Sequence, residues 1–158
     1  MTTTIPQRFD MARLAGGGYK ALIALETYLL RESGLDHGLI DLIKLRVSQM
    51  NGCAFCIDMH WKDLRASGES EQRLYGLDAW EESPYYTEQE RAALAWAEAV
   101  TNLHDGHVSD AVYDRARTQF DDAALANLAL AVVAINSWNR LAIASRATAG
   151  LYRAKAAG

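Results

Sequence analysis

The sequence predicts an all-α fold, on three observations. Only two prolines occur in 158 residues, so long stretches are free to be helical. Apolar residues recur at helical spacing in one segment after another. No segment alternates with period two over several residues, which leaves no candidate strand. About seven helices are expected, in a single domain spanning residues 1–158.

Residues 1–9 are polar and read as loose. Asp10 can cap a short helical piece over residues 11–14, which Gly16, Gly17 and Gly18 should interrupt. From residue 19 to 31, Leu22, Ile23, Leu25, Leu29 and Leu30 mark a helix that Ser33 and Gly34 end. Asp36 opens the next, whose apolar face carries Leu39, Leu42, Ile43, Val47 and Met50. Asn51-Gly52 is a helix stop, so a new helix starts at or near Cys53 and runs to Ala66. Ser67 and Gly68 close it. Residues 70–75 read as a short helix and 77–80 as a further turn. Thr87 and Glu90 form a capping box before a helix through Leu94, Trp96, Val100 and Leu103. Ser109 caps a helix over 110–119. Asp121 or Asp122 caps the last and most apolar helix, which reaches about Ala149. A helix so apolar belongs at the centre of a core or between subunits.

Composition excludes several roles. Sixteen basic and twenty acidic residues are well mixed, giving a net charge of −4. No basic block is present to hold a phosphate backbone, so no nucleic-acid partner is expected. The first fifteen residues lack a basic start followed by an apolar core, so no secretory signal is read. The apolar segment 123–144 is interrupted by Asn127, Asn136, Asn139 and Arg140, so no membrane span is expected either. A cytoplasmic location follows, where a pair of cysteines is kept reduced on average and a disulfide is transient.

The chemistry concentrates in residues 51–60. Both cysteines of the chain, Cys53 and Cys56, lie there, and His60 follows Cys56 by four. Positions four apart share a helix face, so Cys56 and His60 stack one turn apart, and Cys53 lies on nearly the same side. A cysteine reacts as thiolate, and a helix start or a neighbouring imidazole promotes that form. The helix dipole favours Cys53 as nucleophile, because it stands at the start of the new helix. The imidazole favours Cys56, whose proton His60 can accept. Sequence leaves the two open. His60 needs an acceptor to fix its tautomer, and Asp41 on the preceding helix is the candidate. Lys44 and Arg46 could add positive potential.

A zinc site is the competing reading, with Cys53, Cys56, His60 and a fourth ligand from Asp41, His37, His104 or His107. One short motif without a second cluster argues against it, so neither metal nor cofactor is expected. His104 and His107 read as loop residues, and His37 as a solvated residue of a first helical turn. The four tryptophans read as core or interface aromatics. Asn136, Trp138, Asn139 and Arg140 interrupt an apolar helix, either to cap neighbouring backbone or to pair across a subunit interface.

Residues 42–60, carrying Lys44, Leu45 and Arg46 upstream of Cys53, Cys56 and His60, resemble the signature of the AhpD-like alkylhydroperoxidase branch of the carboxymuconolactone decarboxylase superfamily. Residues 87–101 and the run Ile135, Asn136, Ser137, Trp138, Asn139, Arg140 resemble that branch as well. The resemblance implies a helical fold assembling as homo-trimers or homo-hexamers. It implies reduction of a hydroperoxide through a dithiol: Cys56 attacks, Cys53 resolves the sulfenic acid as a disulfide, and His60 relays the proton with help from Asp41. A thioredoxin-like or lipoyl-protein reductant then restores the dithiol. Two positions depart from the pattern. Asp41 stands where the family usually has glutamate, and Phe55 stands where characterised members carry a second histidine. Two other functions compete: a decarboxylase or isomerase acting on a small cyclic acid without thiol chemistry, and a non-catalytic dithiol redox sensor.

Overall fold

The computed structural model describes residues 5–154, and these contain eight α-helices, one 3-10 turn and no strand. The helices are α1 (Met11–Leu14), α2 (Gly16–Arg31), α3 (His37–Asn51), α4 (Ala54–Ala66), α5 (Glu71–Tyr75), α6 (Glu88–Thr101), α7 (Asp110–Arg117) and α8 (Asp122–Ser145); the 3-10 turn spans Leu77–Ala79.

Most boundaries follow local capping. Asp10, Asp36, Ser70, Ser109 and Asp121 each accept a hydrogen bond from a backbone N–H in the first turn of the helix they precede. Thr87 and Glu90 make the reciprocal capping box. Three expectations are corrected. Helix α6 ends at Thr101, where Asn102 leaves the helical conformation, so Leu103 lies exposed beyond it rather than on its apolar face. Gly16, Gly17 and Gly18 do not interrupt the chain but form the first turn of α2, and the break falls on Ala15, at φ −125° and ψ 44°. Glycine costs about 1 kcal/mol relative to alanine in a helix, a cost that packing of α2 against α8 overrides. The last helix ends at Ser145 rather than Ala149, because Arg146 adopts the left-handed conformation, φ 55°.

Helix α3 is the centre of the fold. It packs on α4, α6, α8 and the 3-10 turn, and Leu42, Ile43, Leu45 and Val47 are fully buried. Helix α8 covers it with Leu128, Val132 and Ile135, while Leu130, Val133 and Ile143 face outward. By length and composition alone α8 is able to cross a membrane, yet its inner face is part of this core.

Polar pairs fix how the helices meet around α3. Lys44, 3% exposed, is paired with Glu26 of α2, and the other carboxylate oxygen of Glu26 accepts from Trp138 Nε1 of α8 at 2.9 Å. Arg46 Nε donates to Glu98 Oε1 of α6 at 2.7 Å, and Trp80 Nε1 donates to the same oxygen at 2.7 Å. Asn51 Nδ2 donates to Asn136 and Asn139, and Asn139 in turn donates to Ser48 at 3.0 Å. Asn136 and Asn139 therefore pair within the chain, tying the end of α3 to α8. Asn136 also donates to Thr101 of α6 at 3.0 Å.

Candidate dithiol site

The turn between α3 and α4 is short because Gly52 takes φ 69°, which the stop after Asn51 requires and an L side chain would resist. Its N–H and that of Cys53 return to the carbonyls of Gln49 and Ser48, at 3.2 and 3.0 Å. This closure sets Cys53 as the residue capping α4. Its Sγ accepts the N–H of Cys56 at 3.3 Å. Both sulfurs thus lie against the positive end of α4, where negative charge on sulfur is favoured.

The two cysteines are joined by a disulfide, with Cα atoms 5.3 Å apart. Cys53 is 1% exposed, Cys56 2% and His60 5%. Burial of this kind keeps water from the two sulfurs and leaves His60, one turn beyond Cys56, as the imidazole on the same helix face. Asp41 lies on the facing side of α3, with Oδ1 3.3 Å from His60 Nδ1. The approach lacks hydrogen-bond alignment, and Nδ1 has no such partner among the described protein atoms. It is an ionic contact, attractive when the imidazole is protonated.

The structure thus brings together Cys53, Cys56, His60 and Asp41. Lys44 and Arg46 do not join them: their charges are taken by Glu26 and Glu98. His37 lies at the start of α3, with Nε2 2.6 Å from the Leu30 carbonyl oxygen, and His104 and His107 are exposed in the loop before α7. Phe55 is half-buried and packs against the core.

Sequence reading missed a second carboxylate. Asp63 lies three residues beyond His60 on α4, and Asp63 Oδ1 accepts from the Tyr152 hydroxyl at 2.7 Å. The chain after α8 folds back to make this bond. Lys62 donates to the Tyr152 carbonyl at 3.1 Å, and Asp58 accepts from the Gly150 N–H at 3.1 Å. Burial pushes the Asp63 carboxyl above the ordinary value of 3.8; the Tyr152 bond opposes this, Asp41 adds to it, and His60 opposes it. Burial, aided by the bond to Asp63, pushes the Tyr152 phenol up to about 12. The three-residue spacing from His60 was the available signal for Asp63. Tyr152 gave none, since its partner is 89 residues away.

A pH effect follows. An acid whose pKa is raised on folding holds its proton more tightly in the native state, so its contribution to stability falls as pH rises from 3.8 through the folded value. Asp63→Asn is expected to flatten that part of the urea-midpoint profile. Tyr152→Phe is expected to cost about 1 kcal/mol of stability through the lost hydrogen bond. Unchanged midpoints in both variants would contradict the contact.

A cleft of about 590 Å³ opens beside the disulfide, between residues 5–7, the start of α4 and the end of α8. Cys53, Phe55, Ala142, Ile143 and Arg146 line it, and Cys56 does not. The N-terminal segment that forms one wall is held by Arg8, whose N–H donates to the Ser145 carbonyl at 2.8 Å.

Residues 17–99 match the carboxymuconolactone decarboxylase family. The chain is 44% identical to the uncharacterized protein YdfG of Bacillus subtilis strain 168 over 138 residues, covering 87% of this chain and 93% of YdfG. It is similar to the crystal structure of an Agrobacterium tumefaciens protein of unknown function that has been linked to the antioxidant defence protein AhpD: TM-score 0.88, 43% identity, 93% of this chain and 100% of that one. The fold is shared with the alkylhydroperoxidase AhpD core of an uncharacterized peroxidase-related protein from Ralstonia eutropha JMP134, at TM-score 0.77, 20% identity, 89% of this chain and 74% of that one.

Proposed function

The chain belongs to the carboxymuconolactone decarboxylase family, with the fold of its AhpD-like members, and from that premise we propose that it is a thiol-dependent oxidoreductase that reduces hydroperoxides. One observation carries the reading: a cysteine pair buried at a helix start, one turn from a buried histidine that a carboxylate approaches to 3.3 Å.

The cycle starts from the reduced pair. Cys56 thiolate attacks the terminal oxygen of the hydroperoxide, an S–O bond forms, the O–O bond breaks, and protonated His60 supplies the proton that turns the departing alkoxide into an alcohol. Asp41 stabilises the imidazolium before that transfer. Cys53 then attacks the sulfur of the sulfenic acid, giving the disulfide and water. Two electrons from a dithiol donor, a thioredoxin-like or lipoyl-bearing protein, return both sulfurs to thiols. Phe55 adds no proton-transfer group, so His60 acts alone among the imidazoles of the motif.

A sulfenic-acid trap tests the chemistry. After treatment with cumene hydroperoxide, Cys53→Ser should carry the adduct on Cys56. Adduct on neither single-cysteine variant would contradict the peroxidase reading, and adduct on Cys56→Ser alone would exchange the two roles.

The same reading includes assembly into trimers or hexamers. Support comes from exposed apolar side chains on two helices, Ile23 and Leu30 of α2 with Leu130 and Val133 of α8. A monomer by light scattering at micromolar concentration would remove it.

A further inference from the structure

Cysteines that are 1% and 2% exposed react only with what the surrounding chain lets through, so the covering segment least tied to the core matters most. That segment follows α8. Arg146, at φ 55°, turns the chain off the α8 axis, and the Ala147 N–H closes on the Ala142 carbonyl at 2.9 Å. Residues 147–152 then run alongside α4 in the same direction. Ala147, Thr148 and Ala149 line the cleft together with Cys53. Further on, the Gly150 N–H donates to Asp58 at 3.1 Å and the Tyr152 hydroxyl to Asp63 at 2.7 Å. The lengths match. Ten residues of helix from Cys53 to Asp63 rise about 15 Å, and five extended residues from Ala147 to Tyr152 span about 17 Å. One strap thus passes from the mouth of the dithiol cleft to Asp63, whose carboxyl feels the charges of Asp41 and His60.

Polar bonds, not packing, hold this strap. Residues 148–151 and 153 are exposed, and among the described residues no side chain beyond Ala142 joins the hydrophobic core. Gly150, at φ 90°, gives the strap a joint halfway along. Besides the bonds from Gly150 and Tyr152, Lys62 Nζ donates to the Tyr152 carbonyl at 3.1 Å and the Gly150 carbonyl at 3.5 Å. The Tyr152 hydroxyl bond is the shortest of these ties, and its acceptor is a carboxylate. A segment with few buried apolar contacts opens locally at far lower cost than unfolding. The facing wall, residues 5–7, is anchored elsewhere: Arg8 bonds to the carbonyls of Ser145 and Ala144, at 2.8 and 3.4 Å. Lifting the strap therefore widens the cleft from one side.

We propose that Tyr152 and Lys62 latch this strap to α4 and thereby determine the size of the molecule that reaches the two sulfurs. With the latch made, Ala147, Thr148 and Ala149 stand as the cleft wall and a small reagent enters. With it broken, the strap lifts from α4, turning at Arg146 and Gly150, and a bulky reagent enters as well. The proposal goes beyond the peroxidase reading, since it concerns access to Cys53 and Cys56 whatever oxidises them.

The probes are N-ethylmaleimide and N-(1-pyrenyl)maleimide, which share the reacting ring and differ in bulk. Each rate with the reduced full-length protein is divided by the same reagent's rate with that protein unfolded in urea, which cancels intrinsic reactivity. A change in thiolate fraction moves both reagents alike and leaves their ratio fixed; a change in access moves the ratio. In wild type the pyrenyl reagent should be the more strongly excluded. Tyr152→Phe should raise its rate about fivefold, the scale of one net hydrogen bond, and leave the ethyl reagent's rate as in wild type. Lys62→Met, which removes the two carbonyl contacts, should act in the same direction. Dilute urea should barely alter the pyrenyl rate, because lifting the strap exposes little surface, whereas entry through global unfolding climbs steeply with urea. Equal normalised rates in wild type, a ratio unaltered in either variant, or a steep climb with dilute urea would each overturn the proposal. No hydroperoxide is used, so failure here with a successful sulfenic-acid trap would leave the peroxidase reading intact, and success here with a failed trap would leave a gated dithiol without peroxidase chemistry.

Discussion

Replacing His60 with glutamine is expected to slow hydroperoxide-driven formation of the Cys53–Cys56 disulfide by about a hundredfold to ten-thousandfold, the range usual for loss of a positioned general acid–base. Glutamine keeps the size and polarity of the side chain but neither takes the Cys56 proton nor returns one to the leaving alkoxide. The site magnifies the loss because it is nearly closed: His60 is 5% exposed and Cys56 2%, so solvent is poorly placed to substitute. Asp41→Asn should slow the same step less, since it removes the charge 3.3 Å from Nδ1 and leaves the imidazole itself. The time course of free-thiol loss after rapid mixing measures both. Equal rates in wild type and His60→Gln, with unaltered unfolding midpoints, would show that the imidazole has no part in the chemistry.

The second large effect concerns stability. Glu26→Leu is expected to destabilise the protein by about 3–5 kcal/mol, because it leaves the Lys44 ammonium buried without its counter-charge. Lys44 is 3% exposed on the central helix, and Glu26 is also the acceptor for Trp138 Nε1. The loss is therefore shared by α2, α3 and α8. The double variant Glu26→Leu with Lys44→Met should recover most of it, since a buried pair replaced by apolar groups of similar volume is often neutral. Urea midpoints of the four proteins form the cycle that separates the pair from its surroundings. A Glu26→Leu midpoint equal to wild type would mean that the pair does not hold these helices.

What could be read from the chain was what depends on neighbours in sequence. Asp36, Thr87 and Asp121 cap the helices they precede, and Gly52 forces the turn that places Cys53 at the head of α4, because each acts within about four residues. The His60–Asp41 approach was within reach too, since a tight turn makes α3 and α4 pack side by side. Charges on α3 were not. Lys44 and Arg46 look available to the thiols in sequence, yet their partners come from 18 and 52 residues away. Such pairings are set by tertiary packing. The same holds for Tyr152 on Asp63 and for Asn139 between Asn51 and Ser48. The end of α8 also escaped, because the apolar pattern continues past Ser145 while the backbone turns at Arg146, a residue type that does not advertise a left-handed cap.

The central claim is that Cys53 and Cys56 exchange two electrons with a hydroperoxide. Titration of free thiols after one equivalent of cumene hydroperoxide tests it most directly. Fully reduced protein should fall from two titratable thiols to none, with recovery of both on treatment with a dithiol. If both thiols remain titratable after the hydroperoxide is added, the claim is wrong.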